Sequence, residues 1–88
     1  MRNLISGAQF RRDVKLAKRR GRDTSKLREL ISLLTEAGAL PPGYRDHPLR
    51  GEWKHYRNCH LEPDWLLIYK IEGDNLYLVR TGTHSDLY

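Results

Sequence analysis

His60-Leu61-Glu62-Pro63-Asp64-Trp65-Leu66-Leu67-Ile68-Tyr69 is the stretch that decides how this chain folds. From Trp65 to Tyr69 it is apolar without a polar interruption. A strand with one wet face alternates in polarity. A strand apolar on both faces belongs in the middle of a sheet, with helices packed on one side. Glu62-Pro63 marks a turn just before it, because proline cannot donate to a ladder. Residues 65–72 and 51–60 therefore read as neighbouring strands. Gly73-Asp74-Asn75 reads as a hairpin turn, and Leu76 to Thr81 as the next strand. Gly82 ends it, leaving Thr83 to Tyr88 as a tail or a short helical turn.

Upstream the period changes. Pro41-Pro42-Gly43 breaks any helix, and Pro48 biases His47 toward extended backbone. Before that break, Phe10, Val14 and Ala17 recur at helical spacing with Leu16 alongside, which predicts a helix from Gly7 to Arg20. Gly21 can stop it. Asp23, Thr24 or Ser25 can cap a second helix, where Leu27, Leu30, Ile31 and Leu34 share a face and Gly38 supplies the end. A connection this short makes the pair an antiparallel helical hairpin. Residues 2–6, with Leu4 and Ile5, could form a short first strand. The expected class is α+β: an N-terminal helical hairpin packed on a small antiparallel sheet of three to five strands, one domain spanning 1–88. No internal repeat, low-complexity tract or second domain is visible.

Composition narrows the functions. Mean hydropathy of −0.73 and 31% charged residues argue against a membrane protein, and no apolar run approaches the ~18 residues of a spanning helix. No apolar leader follows Arg2, so a cytoplasmic protein is expected. The lone Cys59 can form no internal disulfide, and no thiol cluster suggests zinc. Net charge is +5. It is concentrated: residues 1–30 hold ten Lys/Arg against three Asp/Glu, whereas residues 31–88 hold six against eight. The basic helix (Arg11, Arg12, Lys15, Lys18, Arg19, Arg20) carries more charge than solubility needs, which favours nucleic acid or an acidic protein as partner.

In the balanced half, His47, His60, Asp64, Arg80 and His84 punctuate the strands near turns. An isolated histidine is most often an ordinary surface residue, but four in 88 residues, three of them beside turns, weaken that explanation for the group. Imidazoles with a carboxylate and an arginine are what moving protons around a phosphodiester requires. Metal binding is the poorer reading, since Pro63 prevents a helix from bringing His60 and Asp64 together and no HxH, HExxH or CxxC occurs. Arg80 could equally be a salt-bridge partner of Asp64 or Glu62. By themselves, Trp53 and Trp65 read as packing residues rather than base-stacking platforms.

The strings Asp46-His47-Pro48-Leu49, Gly51-Glu52-Trp53-Lys54, Tyr56-Arg57, His60-Leu61-Glu62-Pro63-Asp64-Trp65 and Arg80-Thr81-Gly82-Thr83-His84 resemble the YafQ branch of the RelE-type toxins, the toxin halves of bacterial type II toxin–antitoxin systems. Asp13-Val14-Lys15-Leu16-Ala17 and its basic continuation resemble that family's first helix, so the similarity covers 10–88. The resemblance implies a ribosome-dependent mRNA endoribonuclease that enters the ribosomal (30S) A site and cuts without metal or other cofactor. By position it places His47, His60, Asp64, Arg80 and His84 in the active site, with Trp65 and Tyr88 lining it. Tyr88 stands where the family often has Phe, and the first strand is shorter than expected. An acidic antitoxin is the implied partner.

On that reading Arg80 meets the developing phosphate charge, Asp64 or His60 is the base, His84 the acid, and His47 orients the substrate. Arg80 nearby would hold Asp64 ionised, and Arg11, Lys15, Lys18 and Arg19 would dock on RNA. The same fold also serves toxins that poison DNA gyrase, and a plain nucleic-acid-binding module is a third possibility.

Overall fold

In a computed structural model, which describes residues 1–36 and 40–88, the apolar run lies at the centre of a five-stranded sheet. Strands β1 (Asn3–Ser6), β2 (His47–Pro48), β3 (Arg57–Glu62), β4 (Trp65–Glu72) and β5 (Asn75–Gly82) are ordered β1-β5-β4-β3-β2. Helices α1 (Ala8–Arg19) and α2 (Thr24–Thr35) form the predicted hairpin, and α3 (His84–Leu87) is the predicted helical turn. Gly38, expected to end the second helix, lies outside the described residues.

Helix ends follow from local chemistry. Gly21 adopts φ 78°, its N–H donates to Lys18 O and the Arg22 N–H donates to Ala17 O, the paired bonds of a Schellman stop. Asp23 caps α2 by accepting from the Ser25 N–H at 3.0 Å. Thr83 and Asp86 form a reciprocal capping box on α3.

Both faces of β4 are covered. Phe10, Ala17, Leu27, Leu30 and Leu34 of the hairpin pack on Trp65, Leu67, Tyr69, Leu76 and Leu78. On the outer face Leu66 and Ile68 are sealed by Leu87 of α3 with Leu49, Trp53, Tyr56 and Val79. This double burial is why the run lacks alternation.

Three differences from expectation have physical causes. The strand read over 51–60 starts only at Arg57: Gly51–Trp53 is a 3₁₀ turn, and Gly51 (φ 66°) and His55 (φ 80°) take backbone conformations no strand admits. The sheet is not wholly antiparallel, because β1 pairs parallel to β5, from Asn3↔Asn75 to Ser6↔Leu78. Such a pair needs a long connection, and the helices and the other strands provide it. Finally, two bulges interrupt the alternation, between His60 and Glu62 on β3 and opposite Ile68/Tyr69 on β5.

Candidate active site

Bulges re-aim side chains, and each of these two lies beside a residue of interest. On β3, His60 pairs with Leu66 and so faces outward, while the irregularity sets Glu62 opposite Trp65 on the helix side. There Arg22 and Lys26 reach its carboxylate at 2.9 Å each. On β5, Leu76 and Leu78 face the helices and simple alternation would send Arg80 after them. The bulge instead places Arg80 opposite Ile68, on the outer face.

Three imidazoles line up on that face. The ring centroids of His47 and His60 are 6.1 Å apart, and those of His60 and His84 are 6.0 Å apart. His47 is placed by the two-residue strand β2, opposite Asn58. His84 is placed as the first residue of α3, which Leu87 seals onto the sheet and Arg20 ties to α1 through Asp86 at 2.7 Å. Gly82 permits this close seating: a Cβ there would come within 2.9 Å of Asp86 Oδ2.

The outer two rings are held by the same ring atom and the middle one is not. His84 Nδ1 lies 2.6 Å from Asp64 Oδ1, which also accepts the His84 backbone N–H at 2.9 Å. His47 Nδ1 lies 2.7 Å from the Arg45 carbonyl oxygen. Neither oxygen carries a proton to give (the aspartate when ionised), so both Nδ1 atoms donate and each Nε2 is left for other chemistry. His60 Nδ1 is buried without a hydrogen-bond partner among the described residues, as is Asn58 Oδ1 two residues earlier. Desolvation, then the neighbouring Arg45, His47 and His84, hold His60 below the ordinary histidine range. Asp64 is held below the usual carboxylate range by the hydrogen bonds from the His84 backbone and ring, with Arg22 adding a smaller pull.

Other expectations fare differently. The guanidinium of Arg80 does not pair with Asp64 or Glu62. Nε and Nη2 grip the buried Asp13 of α1 at 2.7 and 3.3 Å. β1 covers the edge of β5 only as far as Leu78, so no strand pairs with that edge beside Arg80 among the described residues. His84, not Arg80, is therefore the main reason Asp64 stays ionised. Trp65 is fully buried, with its Nε1–H on Thr81 Oγ1 at 3.0 Å. It supports the site from beneath and has no surface to offer a substrate, which corrects its placement as a lining residue. Tyr88 is 57% exposed. Arg11, Lys15, Lys18 and Arg19 are exposed along α1, with Arg11 also donating to Ser6 O.

Sequence reading missed Arg45 and Asp46, although both adjoin His47. Asp46 accepts from Tyr69 and Arg57 and so pins the loop that carries the ring. A cavity of about 390 Å³ opens behind it, lined by Arg2, Leu34, Arg45, Arg57 and Ile71 among others and by none of the three aligned histidines. Among the described residues no group of three or more His, Cys, Asp or Glu has metal-holding geometry.

Fold and site together define a small α+β protein with three neighbouring histidines on the outer face of its sheet and a basic helix behind it. A family model for "Bacterial toxin of type II toxin-antitoxin system, YafQ" matches residues 2–88. Over 88 residues the chain is 48% identical to the mRNA interferase toxin YafQ of Escherichia coli strain K12, covering 99% of this chain and 96% of that one. It superposes on a chain of the E. coli DinJ–YafQ complex with TM-score 0.93 at 47% identity, covering 100% of this chain and 99% of that one. A metal-bound toxin from Helicobacter pylori is similar as well, with TM-score 0.93, 39% identity and both chains covered in full. The chain belongs to the YafQ family of type II toxin–antitoxin toxins.

Proposed function

We propose that this toxin is an mRNA interferase, an endoribonuclease that halts translation by cutting messages in the ribosomal A site. It acts in the cytoplasm and an acidic antitoxin restrains it. The observation that carries the reading is the imidazole row, with tied rings at either end and a desolvated ring between them. Groups of one chemical type with environments this different are suited to opposite proton-transfer roles.

RNA cleavage through the 2′-hydroxyl needs a base for that proton, positive charge at the phosphate and an acid for the departing 5′-oxygen. His60, biased toward its neutral form, takes the base role, with His47 Nε2 beside it orienting the hydroxyl. His84 returns a proton through Nε2 while the ionised Asp64 fixes its ring. Asp64 thus serves His84 rather than acting as base. Arg80 stabilises the developing phosphate charge, oriented by Asp13. The products are a 2′,3′-cyclic phosphate and a 5′-hydroxyl. Arg11, Lys15, Lys18 and Arg19 supply the salt-dependent hold on RNA, and Tyr88 offers a ring for stacking.

Primer extension on a message translated in a cell extract tests this. Cuts within translated codons, insensitive to a chelator, are the expected result. The chelator arm matters because the Helicobacter relative is described as metal-bound. An intact message with blocked gyrase supercoiling would overturn the reading in favour of a gyrase poison. An intact message with RNA retained by charge alone would favour a simple binding module.

A further inference from the structure

We propose that Asp46 is a positioning residue for the active site, acting through Arg45 and His47 to fix which nitrogen of the His47 ring carries the proton. Four observations converge on it. The strand that carries His47 is only two residues long, far too short to hold itself. The residue before Asp46, Arg45, sits at φ 51° and ψ 41°, a left-handed conformation that is unfavourable for a non-glycine residue. Something must keep this segment in place. One carboxylate does so: Asp46 Oδ1 accepts from the hydroxyl of Tyr69 at 2.5 Å, and Oδ2 accepts from Arg57 Nη2 at 3.1 Å, with Arg57 Nε at 3.2 Å from Oδ1. Tyr69 is a buried residue of the central strand, so the anchor is the sheet itself. Charge-assisted bonds of this kind are stronger than neutral ones.

The consequence appears at His47. With Asp46 clamped, the left-handed turn delivers the Arg45 carbonyl to 2.7 Å from His47 Nδ1. A carbonyl only accepts, so Nδ1 is protonated and Nε2 is the ring's proton acceptor. Releasing Asp46 frees Arg45 to relax toward negative φ, withdraws the carbonyl and frees the ring to take the opposite tautomer. His84 obtains the same tautomer from Asp64 by an unrelated route. It is therefore an internal control within one molecule.

Long-range proton–nitrogen correlation spectra of the full ¹⁵N-labelled chain, at a pH where the imidazoles are neutral, read both tautomers directly. Wild type is expected to show Nδ1–H at His47 and at His84. Asp46→Ala is expected to lose that bias at His47 and keep it at His84, with circular dichroism unchanged. Tyr69→Phe, which removes one donor from the same carboxylate, is expected to shift His47 part of the way and serves if Asp46→Ala does not fold. Retention of Nδ1–H at His47 in the folded variants would overturn the proposal. The kinetic arm rests on the nuclease reading: Asp46→Ala should slow message cleavage by up to about 100-fold, mainly in kcat. A tautomer shift with unaltered cleavage would sustain the positioning role and sink the part assigned to His47.

Discussion

The two faces of β4 are built by different means. The inner face is sealed by a helical hairpin whose apolar residues recur at regular spacing and pack as one apolar cluster on the sheet. The outer face is sealed by a four-residue helix, a 3₁₀ turn and the connecting residues Leu49 and Tyr56, none periodic. All three aligned histidines lie on that second face. Regular packing secures the fold, and irregular packing leaves room for functional groups whose positions are fixed by individual hydrogen bonds.

Substitutions on the two faces should therefore fail differently. The largest effect on activity is expected at the outer face: His84→Ala should slow message cleavage by roughly 10²–10⁴-fold while the circular dichroism spectrum stays native, as primer extension and spectra on one preparation would show. Asp64→Ala should follow it. On the inner face Leu30→Ala, at a fully buried position, should lower unfolding free energy by about 2–5 kcal/mol in urea titrations. Leu87→Ala sharpens the contrast. It should cost about 2 kcal/mol, the low end for a buried leucine, yet also weaken cleavage, because α3 seats His84.

A subtler difference lies in pH. His60 is held below its ordinary value in the folded protein, so the unfolded chain takes up its proton at a higher pH than the folded one. Stability contributed by a neutral His60 is complete above about pH 6.5 and declines as pH falls from there toward the folded value. Melting temperatures at about pH 7.5 and 5.5 should show a decrease that His60→Gln reduces. Asp64 runs the same way lower down, its contribution being lost only below the ordinary carboxylate range. The smallest effect is expected at His55, exposed and at φ 80°: His55→Gly should raise stability by about 0.5–1 kcal/mol, measured by urea titration, with cleavage unchanged.

The asymmetry between faces also explains what could be read in advance. Trp65 to Tyr69, the amphipathic spacing of Phe10, Val14 and Ala17, and the stops at Gly21 and Gly73 have local causes, so the central strand and both helices were legible. Histidines gathered near turns marked the outer face. What stayed hidden depends on partners distant in sequence. Arg80 is paired with Asp13, 67 positions away, and its face is set by a bulge that no alternation rule anticipates. Asp46 appeared as a mere neighbour of His47, because its partners Arg57 and Tyr69 come from two other strands. For Trp65, burial reasoning from its apolar run was a better guide than carrying a family position over.

The parallel pairing of β1 with β5 also bears on how the molecule comes into being. Translation releases Asn3–Ser6 long before Asn75–Leu78, so the first strand waits without its ladder while nearly all of the chain is made. Contacts that close so late, over such a span, make folding slow and strongly cooperative. β5 also carries Arg80 and leads into His84. The same late event that completes the sheet therefore also sets Arg80 and His84 in their places, so the outer face takes its final form only when the last residues of the chain have been made.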